Sequence, residues 1–242
     1  MSSKPYNADR FKIGIYDFDV FAGPAAGEPA IDFELHELAS GDPVTLSDLR
    51  GRWVVLETGS ATCSMYTKNI PGVETLLNKH QDVDFYMVYV REAHPGERLG
   101  AHKSLADKQA AARKLEPRYA ETRRILVDSC AGDFHLAYGA MPNMLYVIRP
   151  DGIVHYRCDW STADGLDHAL NHRDQPITAE HADMNQLNAS RGLSVAIRTM
   201  WTGGILALWD FFRAIPGIAE QHELTDKYYR EHGRLRRRPA DS

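Results

Sequence analysis

Asp32-Phe-Glu-Leu-His-Glu-Leu38 alternates apolar and polar residues at period two, and Ser40-Gly-Asp-Pro43 supplies a turn. A hairpin is predicted there, ending in Val44-Thr-Leu46. Trp53-Val-Val-Leu-Glu-Thr58 and Val83-Asp-Phe-Tyr-Met-Val-Tyr-Val90 are dense apolar runs, which suit central strands buried on both faces. Between them Met65, Ile70, Val73, Leu76 and Leu77 recur at helical spacing, so a helix is predicted from Ser64 to about His80, kinked at Pro71. A second helix is predicted over Ser104 to Leu115, a third strand at Ile125-Leu-Val127 and a short helix over Ala131 to Tyr138. Asn143 to Ile148 and Ile153 to Arg157 flank the turn Arg149-Pro-Asp-Gly152 and read as a β-hairpin. A helix over Thr162 to His172 follows.

Parallel crossovers first and an antiparallel hairpin last make an α/β order with a central mixed sheet flanked by helices. That is the layout of a thioredoxin-like fold, here with an N-terminal β-hairpin and a C-terminal helical extension. Residues 1–27 read as an irregular lead-in, 28–174 as the redox domain and 175–242 as a helical extension with a basic tail, Arg234-Leu-Arg-Arg-Arg238. Within the extension Trp201, Ile205, Leu208, Trp209, Phe212 and Ile215 form a stripe at three-to-four spacing. The eleven uncharged residues between Arg198 and Asp210 fall short of the roughly twenty needed to span a membrane. The stripe is therefore expected to be covered by its own domain or by a second subunit, in preference to a membrane surface.

The chain of 242 residues carries 43% hydrophobic and 25% charged residues, which excludes collagen-like, disordered and coiled-coil classes. A net charge of -5 argues against a general nucleic-acid binder, which needs a clustered positive surface. The three cysteines Cys63, Cys130 and Cys158 stand at wide spacings, without a CxxC pair or a zinc-finger pattern, so neither a disulfide framework nor a metal site is expected. The first twenty residues hold no apolar core of a signal peptide, and the expected compartment is the reducing cytoplasm.

Cys63 follows a buried strand and opens a helix, where free N–H groups and the helix dipole stabilise a thiolate. A depressed thiol pKa is expected. Ser60, Thr62 and Ser64 surround it in sequence with hydroxyls that could bind a developing anion. Pro142, opening an edge strand, stands where thioredoxin-like proteins set a cis-proline against the reactive sulfur. The peroxiredoxin pattern P-x-x-x-[ST]-x-x-C is half kept, with Ser60 in the hydroxyl position and Leu56 in place of the proline.

Gly59-Ser-Ala-Thr-Cys63, Tyr89-Val-Arg-Glu-Ala-His94, His102-Lys-Ser-Leu105 and Leu145-Tyr-Val-Ile148 after Pro142 together resemble the iodothyronine deiodinases, in the same order and over roughly Val54 to Trp160. The resemblance implies that Cys63 stands where that family has its catalytic selenocysteine, and that Thr62, Tyr89, Glu92, His94 and His102 match residues used around it. It implies reductive removal of iodine from an aromatic ring, a thiol cosubstrate and often a dimer. No bound cofactor is expected; an external reductant, thioredoxin or a low-molecular-weight thiol, restores the cysteine. Either His94 or His102 would donate a proton, Glu92 orienting the imidazole of His94. The family's neighbouring cysteines fall at Ala61 and near Arg123, leaving Cys130 and Cys158 as candidate resolving thiols. Two alternatives stay open: a one-cysteine peroxide reductase, and a redox-inactive interaction domain that uses the C-terminal helix.

Overall fold

The computed structural model describes residues 6–175, 177, 180–182 and 193–237. The rest of the expected extension, including Asp183 and the end of the basic tail, lies outside the described residues. The elements run β1 (Val20–Phe21), β2 (Glu34–Glu37), β3 (Pro43–Thr45), β4 (Trp53–Gly59), α1 (Ser64–Lys79), β5 (Val83–Tyr89), α2 (Leu105–Ala112), α3 (Leu115–Tyr119), β6 (Arg124–Val127), α4 (Asp133–Ala137), β7 (Leu145–Ile148), β8 (Val154–Cys158), α5 (Ala163–Asn171), α6 (Leu193–Gly203), α7 (Ile205–His232) and β9 (Arg236–Arg237).

Seven strands form one sheet in the order β3-β2-β6-β5-β4-β7-β8. β4, β5 and β6 are parallel, with Thr58 opposite Val88 and Val88 opposite Leu126, while β7 is antiparallel to β4 and β8 to β7. This is the thioredoxin-like α/β fold, extended at one edge by the β2–β3 hairpin. The side chains of β4 alternate faces as a pleated strand requires. Val55 joins Val73 and Leu76 of α1 and Leu166, Ala169 and Leu170 of α5. Val54 and Leu56 face the opposite cluster with Phe134, Tyr138 and the aromatic residues of the N-terminal segment. A strand with two covered faces has no solvent side, which is why its sequence is apolar from Trp53 to Leu56, and the buried Glu57 that follows is paired with Arg123.

The lead-in is largely without regular structure, yet Phe11, Tyr16, Phe18 and Phe21 are buried in the core. Its two-residue β1 pairs in parallel with β9, so the described part of the basic tail is not a free solvated terminus. Arg236 reaches Asp19, and Arg237 reaches Glu28.

The C-terminal apolar run is two helices, broken at Gly204, whose φ of +114° is open to glycine and strained for other residues. A Cβ there would also collide with the Glu97 carboxylate. Ala196, Met200, Ala207 and Ala214 form the buried side. The stripe is not covered by its own domain: Ile205 and Trp209 are each 59% exposed, and Trp201 and Phe212 are exposed with them. Small residues of these helices meet the domain together with Met200 and Phe211, while Trp201, Ile205, Trp209 and Phe212 face out. No helix among the described residues is long and apolar enough to cross a membrane.

Candidate active site

β4 ends in Gly59, and Ser60 to Thr62 form the turn into α1. Cys63 is the N-cap residue of α1 in extended conformation, and Thr67 N donates to its carbonyl at 3.0 Å. Its thiol is 2% exposed. Burial pushes the Cys63 thiol up to about 12, the N–H groups of Tyr66 and Met65 oppose the rise, and the carboxylates of Glu57 and Glu92 add to it. The depressed pKa expected from the helix start is therefore overturned: desolvation of the anion outweighs the helix terminus.

Of the neighbouring hydroxyls, Ser64 lines the cavity with Cys63, whereas those of Ser60 and Thr62 serve another purpose than cradling the sulfur. Ser60 Oγ accepts from Ala93 N at 3.1 Å. Thr62 donates its hydroxyl to Glu92 at 2.6 Å and its N–H to the same carboxylate at 3.1 Å, while its Oγ1 accepts from His94 N at 3.1 Å. Tyr89 donates to the other oxygen of Glu92 and accepts from Ala61 N at 3.3 Å. His102 Nε2 lies 3.4 Å from Glu92 Oε1. Burial works against the charge of Glu92, but the contacts from His102, Thr62 and Tyr89 hold its carboxyl below the usual range. Glu92 is thus the hub of a buried network that fixes the loop after β5 against the turn before Cys63.

That geometry corrects a second expectation, since Glu92 lies beside His102 and not His94. The His94 ring instead leans on Phe11 at 4.6 Å and meets Phe211 edge-on at 5.3 Å between centroids. Its buried Nδ1 has no hydrogen-bond partner, and burial lowers its pKa to about 4. Pro142 is buried beside the cysteine, but no cis peptide bond occurs among the described residues, so Met141–Pro142 is trans. The trans form is favoured unless a turn enforces the other. Here the preceding carbonyl is held by the His135 ring, whose Nε2 lies 2.7 Å from Met141 O and whose Nδ1 lies 2.8 Å from Tyr6 Oη.

Cys63, His94 and Pro142 share the wall of one cavity of about 290 Å³. Ser60, Thr62, Tyr89, Glu92 and His102 do not line it; they support it. Ser64, Met65, Ala93 and Trp160 of the predicted redox domain complete its inner side, and the remaining wall comes from beyond that domain, with Phe11, Tyr16 and Phe18 from the lead-in, Ala196 from α6, and Phe211 and His222 from α7. Sequence reasoning missed these, and Trp160 with them. A row of aromatic residues in a segment otherwise without regular pattern was the available signal for the lead-in. Nothing in the linear order ties His222 to Cys63.

The candidate resolving thiols are placed apart. Cys158 ends β8 in a different core cluster, its thiol donating to Trp160 O at 3.2 Å and pushed up to about 12 by burial. Cys130 is partly exposed in the loop after β6, and all three cysteines are free. Near the family's other cysteine position stands Arg123, fully engaged with Glu57 at 2.5 Å and Glu121 at 2.6 Å. Among the described residues no group of His, Cys, Asp or Glu could hold a metal ion.

Residues 15–161 match the iodothyronine deiodinase family. Thyroxine 5-deiodinase of Sus scrofa is 34% identical over 114 residues, covering 43% of this chain and 37% of that protein. The Homo sapiens thyroxine 5-deiodinase is 33% identical over the same length and coverage. The chain therefore spans less than half the length of these curated relatives. Among solved structures, an uncharacterized conserved protein from Geobacillus kaustophilus aligns with a TM-score of 0.50 at 18% identity, covering 63% of this chain and 84% of that one.

Proposed function

Because the chain belongs to the iodothyronine deiodinase family, we propose that it is a thiol-dependent oxidoreductase that removes halogen, iodine foremost, from an aromatic ring bound beside Cys63. The observation that carries this reading is the placement of Cys63 and His94 on one apolar, aromatic-walled cavity within the matched region. The Cys63 thiolate attacks iodine, so that an S–I bond forms and the C–I bond breaks. The electron pair stays on the ring carbon, which takes a proton. An external thiol then attacks the sulfur, releasing iodide and forming a mixed disulfide, and a second thiol frees Cys63 and leaves as the oxidised disulfide.

The proton path follows from the two acidities. A thiol pushed up to about 12 does not give its proton to an imidazole held near 4, so the closed molecule rests with both groups neutral. Activation requires water or substrate dipoles to enter and restore the solvation of the anion. His94 can then accept the thiol proton and return it to the ring carbon. Burial of Cys63 thus protects it from oxidation between turnovers.

The test is iodide release from 4-iodophenol by the purified chain with dithiothreitol. Cys63→Ser is expected to reduce release at least a hundredfold, and His94→Ala to reduce it on the order of a hundredfold. Release that is unchanged in Cys63→Ser overturns the reading. Turnover of hydroperoxides alone, abolished by Ser60→Ala, replaces it with peroxide reduction.

A further inference from the structure

The Cys63 cavity is apolar in area, yet several buried polar atoms on its wall have no partner. They are Nδ1 of His94, Nδ1 of His222, Nε1 of Trp160 and the hydroxyl of Tyr16. Trp160 and Tyr16 are 3% and 4% exposed. Buried polar groups are nearly always satisfied, and each one left alone is costly. Four such atoms on one wall mark the place of a molecule that both donates and accepts.

Its charge follows from the wall. No Lys, Arg, Asp or Glu lines the cavity among the described residues. Arg91 lies over the Tyr16 ring at 4.5 Å, behind the wall; its Nη1 and Nη2 donate to the carbonyls of Tyr6 and Ile15, and its Nε is buried without a partner. Both imidazoles are held neutral by burial, His222 near 4 like His94. A carboxylate or ammonium would enter without a counter-ion on the wall itself, which is unfavourable. Its size follows from the volume: a dry cavity of about 150 Å³ holds one benzene, so about 290 Å³ holds one ring with bulky halogen and hydroxyl substituents.

His222 is the polar group best placed to select such a ring. It lies on α7, outside the residues that match the family. Its ring is fixed by Phe18 at 4.7 Å and Trp160 at 5.2 Å, so Nδ1 is held in position without a hydrogen bond of its own. We propose that the cavity takes a neutral, single-ring halophenol, and that His222 and Trp160 bind its hydroxyl and reject ring compounds that carry a carboxylate. The phenol O–H donates to His222 Nδ1 and its oxygen accepts from Trp160 Nε1. This rests on the reading of the Cys63 cavity as the substrate site.

Equilibrium binding by calorimetry, with the full chain at pH 7 and no reductant, tests the assignment apart from turnover. 4-Iodophenol is expected to bind at least tenfold tighter than 4-iodobenzoate. His222→Phe keeps the ring stacking and removes the acceptor, and is expected to weaken 4-iodophenol about tenfold, the worth of one hydrogen bond, with iodobenzene changed less than twofold. Trp160→Phe is expected to do the same and serves if His222→Phe fails to fold. Equal affinity for 4-iodobenzoate, or equal loss for iodophenol and iodobenzene in both variants, overturns the proposal. Selective iodophenol binding without iodide release on adding thiol would leave the cavity assignment standing and overturn the dehalogenation reading. Iodide release from 4-iodobenzoate as efficient as from 4-iodophenol would do the reverse.

Discussion

Cys63 sits at a helix start and still holds its proton, because the walls that make the cavity also exclude water from the anion. At pH 8 iodoacetamide is therefore expected to label Cys130, which is partly exposed, before Cys63 and Cys158, both buried. Peptide mapping by mass spectrometry reads the order, and labelling of Cys63 first would sink the account. Glu92 carries the opposite balance. Its folded carboxyl lies below the ordinary value near 4.3, so its contribution is present above that value and lost as pH falls through the folded one. Glu92→Gln is expected to cost about 2 kcal/mol at pH 7, the worth of charge-assisted hydrogen bonds to Thr62 and Tyr89. The gap from the parent protein should close only as pH falls through that lowered folded value, as urea denaturation at several pH values would show; a gap that does not narrow at any acid pH at which the parent still folds would assign the loss to packing.

Among the elements, α7 is tied to the end of β8 by a buried clasp that the sequence pattern does not announce. His181 lies 2.6 Å from Asp159 through Nδ1 and 2.6 Å from Asp226 of α7 through Nε2, with Tyr229 against its ring at 5.3 Å. Burial works against its charge, but the two carboxylates raise its pKa to about 9. A raised imidazole stabilises fully below its ordinary value near 6.5 and loses that stabilisation as pH climbs through about 9. Asp226→Asn leaves the ring one carboxylate and is expected to lower stability at pH 7 by about 3 kcal/mol, roughly 6–12 °C in melting temperature for a chain this long. Above pH 10 the two melting curves should converge, and a constant offset from pH 6 to 10 would dismiss the clasp. The strands and helices of the domain were legible because each carries a local pattern: β4 and β5 are dense apolar runs, and α1 shows its buried face at Tyr66, Ile70 and Val73. The clasp, the Glu57–Arg123–Glu121 cluster and the trans state of Pro142 were not, because each depends on groups brought together only by the fold. Cys63 itself was legible from its place between a strand and a helix, whereas its acidity depended on how completely distant residues cover it.

At the scale of the molecule, the lead-in and the C-terminal helices roof the cysteine, and a few polar contacts hold them down. Arg10 donates from Nε and Nη2 to Asp210, both at 2.6 Å, joining the lead-in to α7. Glu97, in the loop after His94, accepts from the first two N–H groups of α7 at 2.6 and 2.9 Å, a carboxylate where the helix dipole favours one. Thr67 and Thr199 bond across α1 and α6 at 2.9 Å. The outer side of these helices leaves Trp201, Ile205, Trp209 and Phe212 in solvent, so the roof is fastened from beneath and uncovered above within one chain. Loosening the fasteners should let water reach the thiol and lower its pKa, because burial is the largest cause of its rise. The double variant Arg10→Ala, Glu97→Ala is therefore expected to speed iodoacetamide labelling of Cys63 at pH 8 at least tenfold and to weaken binding of 4-iodophenol. Cys158, buried in another cluster, is the internal control. Faster labelling of Cys63 alone means a roof that opens over an intact domain. Equal acceleration of both cysteines means general unfolding, and an unchanged Cys63 rate means that these contacts do not gate the site; either result defeats the account of a gated thiol.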